Sequence, residues 1–141
     1  MGSVMSARLG IDLVAVDSVR AAIRIHEERY LRRVYTDAEL RDCRGRNGID
    51  PDRLAARFAA KEAAIKVLRP GSEGLALTAI ELKRLADGSV EIELSGRAAE
   101  LAAAAHLTDF AVTVTHEGDY AAAVVMAQGL SNPRNSPIMR S

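Results

Sequence analysis

Within ten residues the chain places Arg57, Lys61, Glu62 and Lys66. A carboxylate among three cations at that spacing suits phosphate chemistry: Glu62 can hold a metal cation, and the lysines and the arginine can receive anionic oxygens. The same residues allow a blander reading, with Glu62 paired to Lys66 at i, i+4 and the long stems of Arg57 and Lys61 snorkelling to solvent. Lysine usage adds a hint. Of 19 basic residues 16 are Arg and only 3 Lys, and two of those three are Lys61 and Lys66, as if a compact point charge were wanted there.

These residues lie on a helical segment from Arg53 to Arg69. On a wheel of about 100° per residue, Leu54, Phe58, Ile65 and Leu68 share a narrow arc. The opposite side is small rather than polar: Ala55, Ala56, Ala59, Ala60, Ala63, Ala64 and Val67. The charges occupy two flanks, Arg57 and Lys61 on one, Glu62 and Lys66 on the other. With hardly any solvent face left, those charges need partners, because an unpaired buried charge is very costly. The periodicity is compatible with both readings.

The elements around this helix follow from pattern. Leu9, Ile11 and Leu13 alternate with Arg8, Gly10 and Asp12, predicting a strand over 7–14 with Asp12 near its end. Asp17 or Ser18 caps a predicted helix to about Val34, and Thr36-Asp37-Ala38-Glu39 has capping-box spacing for another. Residues 45–51 read as a loop, and Pro70-Gly71 stops the central helix. Strands are expected over 77–85 and 90–94 around an Asp87-Gly88 turn. A short helix capped by Ser95 follows, then strands through Phe110, Val112, Val114 and His116 and through 120–126. The reading is α+β: an antiparallel sheet with a long central helix packed on it. It predicts one domain over 7–128, with flexible termini at 1–6 and 129–141.

Composition bounds the function. The 141 residues suffice for one core. One cysteine, Cys43, excludes an internal disulfide and fits a reducing compartment. No apolar run reaches the roughly 18 residues of a membrane span, so a cytoplasmic protein without membrane association is expected. Net charge is zero, yet eight arginines lie between Arg20 and Arg46 against five acidic residues. That strip suits an acidic partner. A basic RNA-binding protein is the weaker alternative, given neutral charge and 4% aromatics.

Three blocks together carry a resemblance. Gly10-Ile11-Asp12-Leu13, then Arg57-Phe58-Ala59-Ala60-Lys61-Glu62-Ala63-Ala64-Ile65-Lys66, then Val112-Thr113-Val114-Thr115-His116 with Asp119-Tyr120-Ala121-Ala122-Ala123-Val124 resemble the signature blocks of holo-acyl-carrier-protein synthases. These are the short homotrimeric members of the 4′-phosphopantetheinyl transferase superfamily. The resemblance implies the 4′-phosphopantetheinyl transferase fold and transfer of phosphopantetheine from coenzyme A, the co-substrate, to a serine of an acidic apo acyl-carrier protein, releasing adenosine 3′,5′-bisphosphate. It implies Asp12 and Glu62 as Mg²⁺ ligands, with Lys66 completing the catalytic set. Arg57, Lys61, Lys66 and His116 are implied to contact coenzyme A, and nucleic acid is not implied as a partner.

Ser18 departs from the pattern, standing where relatives commonly have an arginine that grips the carrier. Arg20 and Arg24, one helical turn apart, are the candidate replacements, leaving a fatty-acid or a polyketide carrier equally open. A module that binds coenzyme A or a nucleotide without transferring anything is the other alternative, and the intact Asp12, Glu62 and Lys66 argue against it.

Overall fold

The alternation around Leu9 forms a strand longer than its pattern suggested. In the computed structural model, which describes residues 4–131, β1 spans Val4–Ala15. It is followed by α1 (Val16–His26), α2 (Glu28–Val34), α3 (Asp37–Asp42), the two-residue strands β2 (Arg44–Gly45) and β3 (Gly48–Ile49), and α4 (Pro51–Leu68). Then come β4 (Ile80–Arg84), β5 (Val90–Leu94), α5 (Gly96–Ala104), β6 (Asp109–Glu117) and β7 (Tyr120–Ser131). The chain is α+β, as its pattern predicted. The expected flexible termini meet strand at residues 4–6 and 129–131; the remainder of those two segments lies outside the described residues.

Antiparallel pairing puts β7 between β1 and β6, and β4 pairs with β5 as a separate hairpin. The register sets Asp12 opposite Ala123 and Val14 opposite Ala121, which also faces His116. Because side chains alternate, one face of the sheet carries Gly10, Val14, Ala121, Ala123, Val125 and Ala127, all buried. Helix α4 packs across it, touching all three strands. The small residues on both surfaces bring helix and sheet close together, which buries the alanine side of α4 and leaves Phe58 and Ile65, on the large-residue arc, only half-buried. The other face of the sheet is apolar and exposed: Leu9 71%, Ile11 63% and Leu13 65%.

Local signals account for most boundaries. Asp50 accepts the Asp52 amide at 2.9 Å and Pro51 occupies the first turn of α4. Arg69 ends the helix in the left-handed region ahead of Pro70. The Thr36–Glu39 capping box is complete on α3. The single helix expected up to Val34 is broken at Glu27, whose φ of 50° and ψ of −129° belong to a region normally left to glycine, a strain of about 1–3 kcal/mol. Nothing at residue 27 announces a break. Two smaller differences concern 45–51, which holds the end of β2, all of β3 and the start of α4 at Pro51, and Leu77–Ala79, which is a 3₁₀ turn rather than strand.

Candidate active site

Where α4 crosses β1, Gly10 removes the side chain that would hold the two apart, and Asp12 two residues on faces the same side. Glu62 and Lys66, one turn apart, come from the helix. Lys66 Nζ donates to the Ile11 carbonyl at 2.7 Å and to Asp12 Oδ1 at 3.2 Å. Glu62 is half-buried beside them. Burial pushes its carboxyl above the usual carboxylate range, the neighbouring Asp12 adds to that, and Lys66 pulls the other way. The i, i+4 pairing expected as the bland reading is therefore replaced by a cross-element one: Lys66 reaches Asp12 on β1.

Two hard oxygen donors that repel one another, with one exposed ammonium between helix and strand, suit a small divalent cation. Magnesium is commonly held by one or two carboxylates, with water and substrate phosphate completing its shell. Among the described residues no three His, Cys, Asp or Glu gather into a metal cluster.

Arg57 lies apart from these three, on the Lys61 flank of α4 beside Asp42 and Cys43, and is 6% exposed. Its Nη2 is 4.0 Å from Asp42 Oδ2, beyond hydrogen-bond reach, and both Nε and Nη2 are buried without a hydrogen-bond partner among the described residues. A buried guanidinium with unused donors is a receptor for an anion. His116 shares the Asp12 face of the sheet by register and is exposed at its end, two strands away.

Lys61 is not brought to this group. Its ammonium is fully buried on the far flank of α4, against Glu39 Oε1 at 2.7 Å and the carbonyls of Leu77 and Ile80. The expectation that it receives phosphate gives way to an interior ion pair, since each of its three donors has a protein acceptor. Sequence reading missed Glu39 as that partner. The capping-box spacing flagged the residue, but a cap explains only one of its carboxylate oxygens. Arg20 is exposed and pairs with Asp17 at 3.0 Å, and Arg24 is exposed in the last turn of α1. Beyond them His26, Arg29, Tyr30, Arg32 and Arg33 line an open basic groove.

The chain is similar to known proteins over most of its length. The family model described as the 4′-phosphopantetheinyl transferase superfamily matches residues 8–125. A holo-[acyl-carrier-protein] synthase of Gloeobacter violaceus is 36% identical over 128 residues, 91% of this chain and 97% of its own. One from Chloroflexus aurantiacus is 40% identical over 130 residues, 84% and 95% of the two chains. Among solved structures, the ACPS–CoA complex of Chronobacterium ammoniagenes superposes with a TM-score of 0.75 at 25% identity, covering 88% of this chain and 98% of that one.

Proposed function

The chain belongs to the 4′-phosphopantetheinyl transferase superfamily, and we propose that it performs the transfer at the junction of β1 and α4, with Asp12, Glu62 and Lys66 as the reacting-end residues. The reaction is that of a holo-acyl-carrier-protein synthase: 4′-phosphopantetheine passes from coenzyme A to a serine of an apo acyl-carrier protein, and adenosine 3′,5′-bisphosphate leaves. The observation that carries the site assignment is Lys66 bridging to Asp12 beside a Glu62 that the same aspartate disfavours in its charged form.

Asp12 and Glu62 would hold Mg²⁺, which when bound supplies charge neutralisation at the pyrophosphate. The remaining work falls to side chains. Lys66, the exposed cation of the group, places its ammonium on the non-bridging oxygens of the pyrophosphate. The serine hydroxyl attacks the β-phosphorus, and Glu62, a water or a carboxylate of the carrier takes its proton. Arg57, with two unused buried donors, receives the 3′-phosphate, aided by His116 at the end of the sheet.

The carrier docks through α1 and α2. Arg20 and Arg24 begin a positive surface that continues into the groove of His26, Arg29, Arg32 and Arg33, which suits an acidic helix. The exposed apolar face of β1 and β7 carries Leu9, Ile11, Leu13 and Met126 together, the kind of patch that marks an interaction surface. It supports a homotrimer in which copies cover that face. Among the described residues no helix is long and apolar enough to cross a membrane. A lone cysteine, Cys43, with no disulfide partner in the sequence, fits a reducing compartment, and on that ground we place the enzyme in the cytoplasm.

A direct test incubates the protein with apo-carrier, coenzyme A and Mg²⁺ and weighs the carrier. Addition of phosphopantetheine by the wild type and its loss in Glu62→Ala are expected. Transfer at wild-type rate by Glu62→Ala would remove the site assignment.

A further inference from the structure

Helix α4 has an unusual problem of alignment. Ala55, Ala56, Ala59, Ala60, Ala63 and Ala64 are all buried, with larger buried side chains, Leu54, Val67 and Leu68, toward the two ends, and the methyl surface between them offers little interlock against rolling about the helix axis. Roll matters here. A carboxylate about 6 Å from the axis moves roughly 2 Å for a 20° rotation, and misplacement by about 1 Å costs on the order of 100-fold in rate. On the active-site flank the directional tie is Lys66, held by Ile11 and Asp12. That tie loosens once the ammonium turns to substrate phosphate.

The opposite flank carries a different kind of tie. Lys61 and Glu39 are both fully buried. Lys61 Nζ donates to Glu39 Oε1 at 2.7 Å, to the Ile80 carbonyl at 2.7 Å and to the Leu77 carbonyl at 3.0 Å. Glu39 Oε1 also accepts the Thr36 amide at 2.8 Å, and Oε2 accepts the Leu82 amide at 2.9 Å. Tyr35, whose ring lies 5.9 Å from the ammonium, donates to the Leu54 carbonyl in the first turn of α4 at 3.1 Å. One network thus joins α3, the 3₁₀ turn and β4 to α4, and Lys61 is the residue next to Glu62. A buried ion pair is a poor source of stability compared with apolar packing, but its contacts are directional where methyl contacts are not.

We propose that the Lys61–Glu39 pair is a positioning device that sets the roll of α4 and so aims Glu62 and Lys66 at Asp12. The inference rests on the transferase reading for its kinetic consequence and on geometry alone for its structural one. The test is the double variant Lys61→Met/Glu39→Gln, which removes both charges while keeping side-chain length and an acceptor for the Thr36 amide. It should fold with a cooperative melt and keep KM for coenzyme A within about threefold, while kcat falls by roughly 30-fold or more. Its crystal structure should show the Glu62 carboxylate displaced by about 1 Å or more relative to Asp12. A double variant with wild-type kcat and an undisplaced Glu62 overturns the proposal. If the wild type proves inactive on every carrier, the displacement still decides the positioning claim separately. Should the double variant not fold, Glu39→Gln alone is read the same way; unfolding of both overturns the proposal, since the pair would then hold the whole fold rather than the roll of one helix.

Discussion

A Cβ on Gly10 would lie 2.1 Å from the carbonyl oxygen of Ala63. No rotamer change relieves that contact, because the obstacle is helix backbone, so β1 and α4 approach closely only with glycine at residue 10. Asp12 sits two residues along the strand and Glu62 is the neighbour of Ala63 on the helix. The closeness that forbids a side chain at residue 10 is what brings the two carboxylates together.

Gly10→Ala should therefore push the helix off the strand. A destabilisation of about 1–3 kcal/mol is expected from overpacking, read as a lowered denaturation midpoint. Activity should fall further than the loss of folded protein explains, as the Asp12–Glu62 separation widens.

The Glu62 carboxyl is raised above its ordinary range by burial and by Asp12. In the folded state it holds a proton that the unfolded chain has released, so stability falls as pH rises from the ordinary carboxylate pKa through the folded one. Glu62→Gln escapes this loss. In metal-free buffer the variant should have the higher Tm at pH 7, the difference vanishing near pH 4. Adding Mg²⁺ should raise the wild-type Tm and leave the variant nearly unchanged. A variant Tm below wild type at pH 7 would argue against the repulsive carboxylate pair.

Arg57 carries two buried donors without partners. Arg57→Gln should raise KM for coenzyme A by about 10–100-fold, the loss expected for charged hydrogen bonds. The KM for 3′-dephospho-coenzyme A should barely move. An equal rise for both substrates would place Arg57 away from the 3′-phosphate.

On the carrier side, Arg20→Glu and Arg24→Glu should each raise KM for an acidic carrier by about 3–10-fold at low salt, with KM for coenzyme A unchanged. Arg20 already has Asp17 at 3.0 Å, so Arg24 is expected to show the larger effect.

Ile11→Asp places a charge on the exposed apolar face of β1. If copies of the chain cover that face, the variant should run as a monomer in light scattering where the wild type runs as a trimer. Wild type running as a monomer at micromolar concentration would contradict the assembly.

How much of this was legible in the residues depends on whether the signal was local. The strand at Asp12, the capping box at Thr36 and the stop of α4 at Pro70-Gly71 are written in short stretches and were readable; the start at Asp50-Pro51 was not, since the polar stretch around it reads as loop. The direction of each charge on α4 was not. The wheel put Lys61 with Arg57 and Glu62 with Lys66 on the two flanks, but which flank faced Asp12 and which an interior acid depends on residues 22 or more positions away. Glu39 looked complete as a helix cap, so its second oxygen gave no sign. The break at Glu27 has no glycine or proline to mark it, and tertiary packing of α2 overrides local preference there.

The transfer of phosphopantetheine that we assign to Asp12 and Glu62 across the β1–α4 junction has a direct readout. Mass spectrometry of an apo acyl-carrier protein after incubation with coenzyme A, Mg²⁺ and wild-type enzyme, Asp12→Ala or Glu62→Ala tests it most directly. The account predicts one phosphopantetheine on the carrier serine with wild type and unmodified carrier with either variant. Unmodified carrier with wild type across a broad carrier panel, or full modification with both variants, would contradict it.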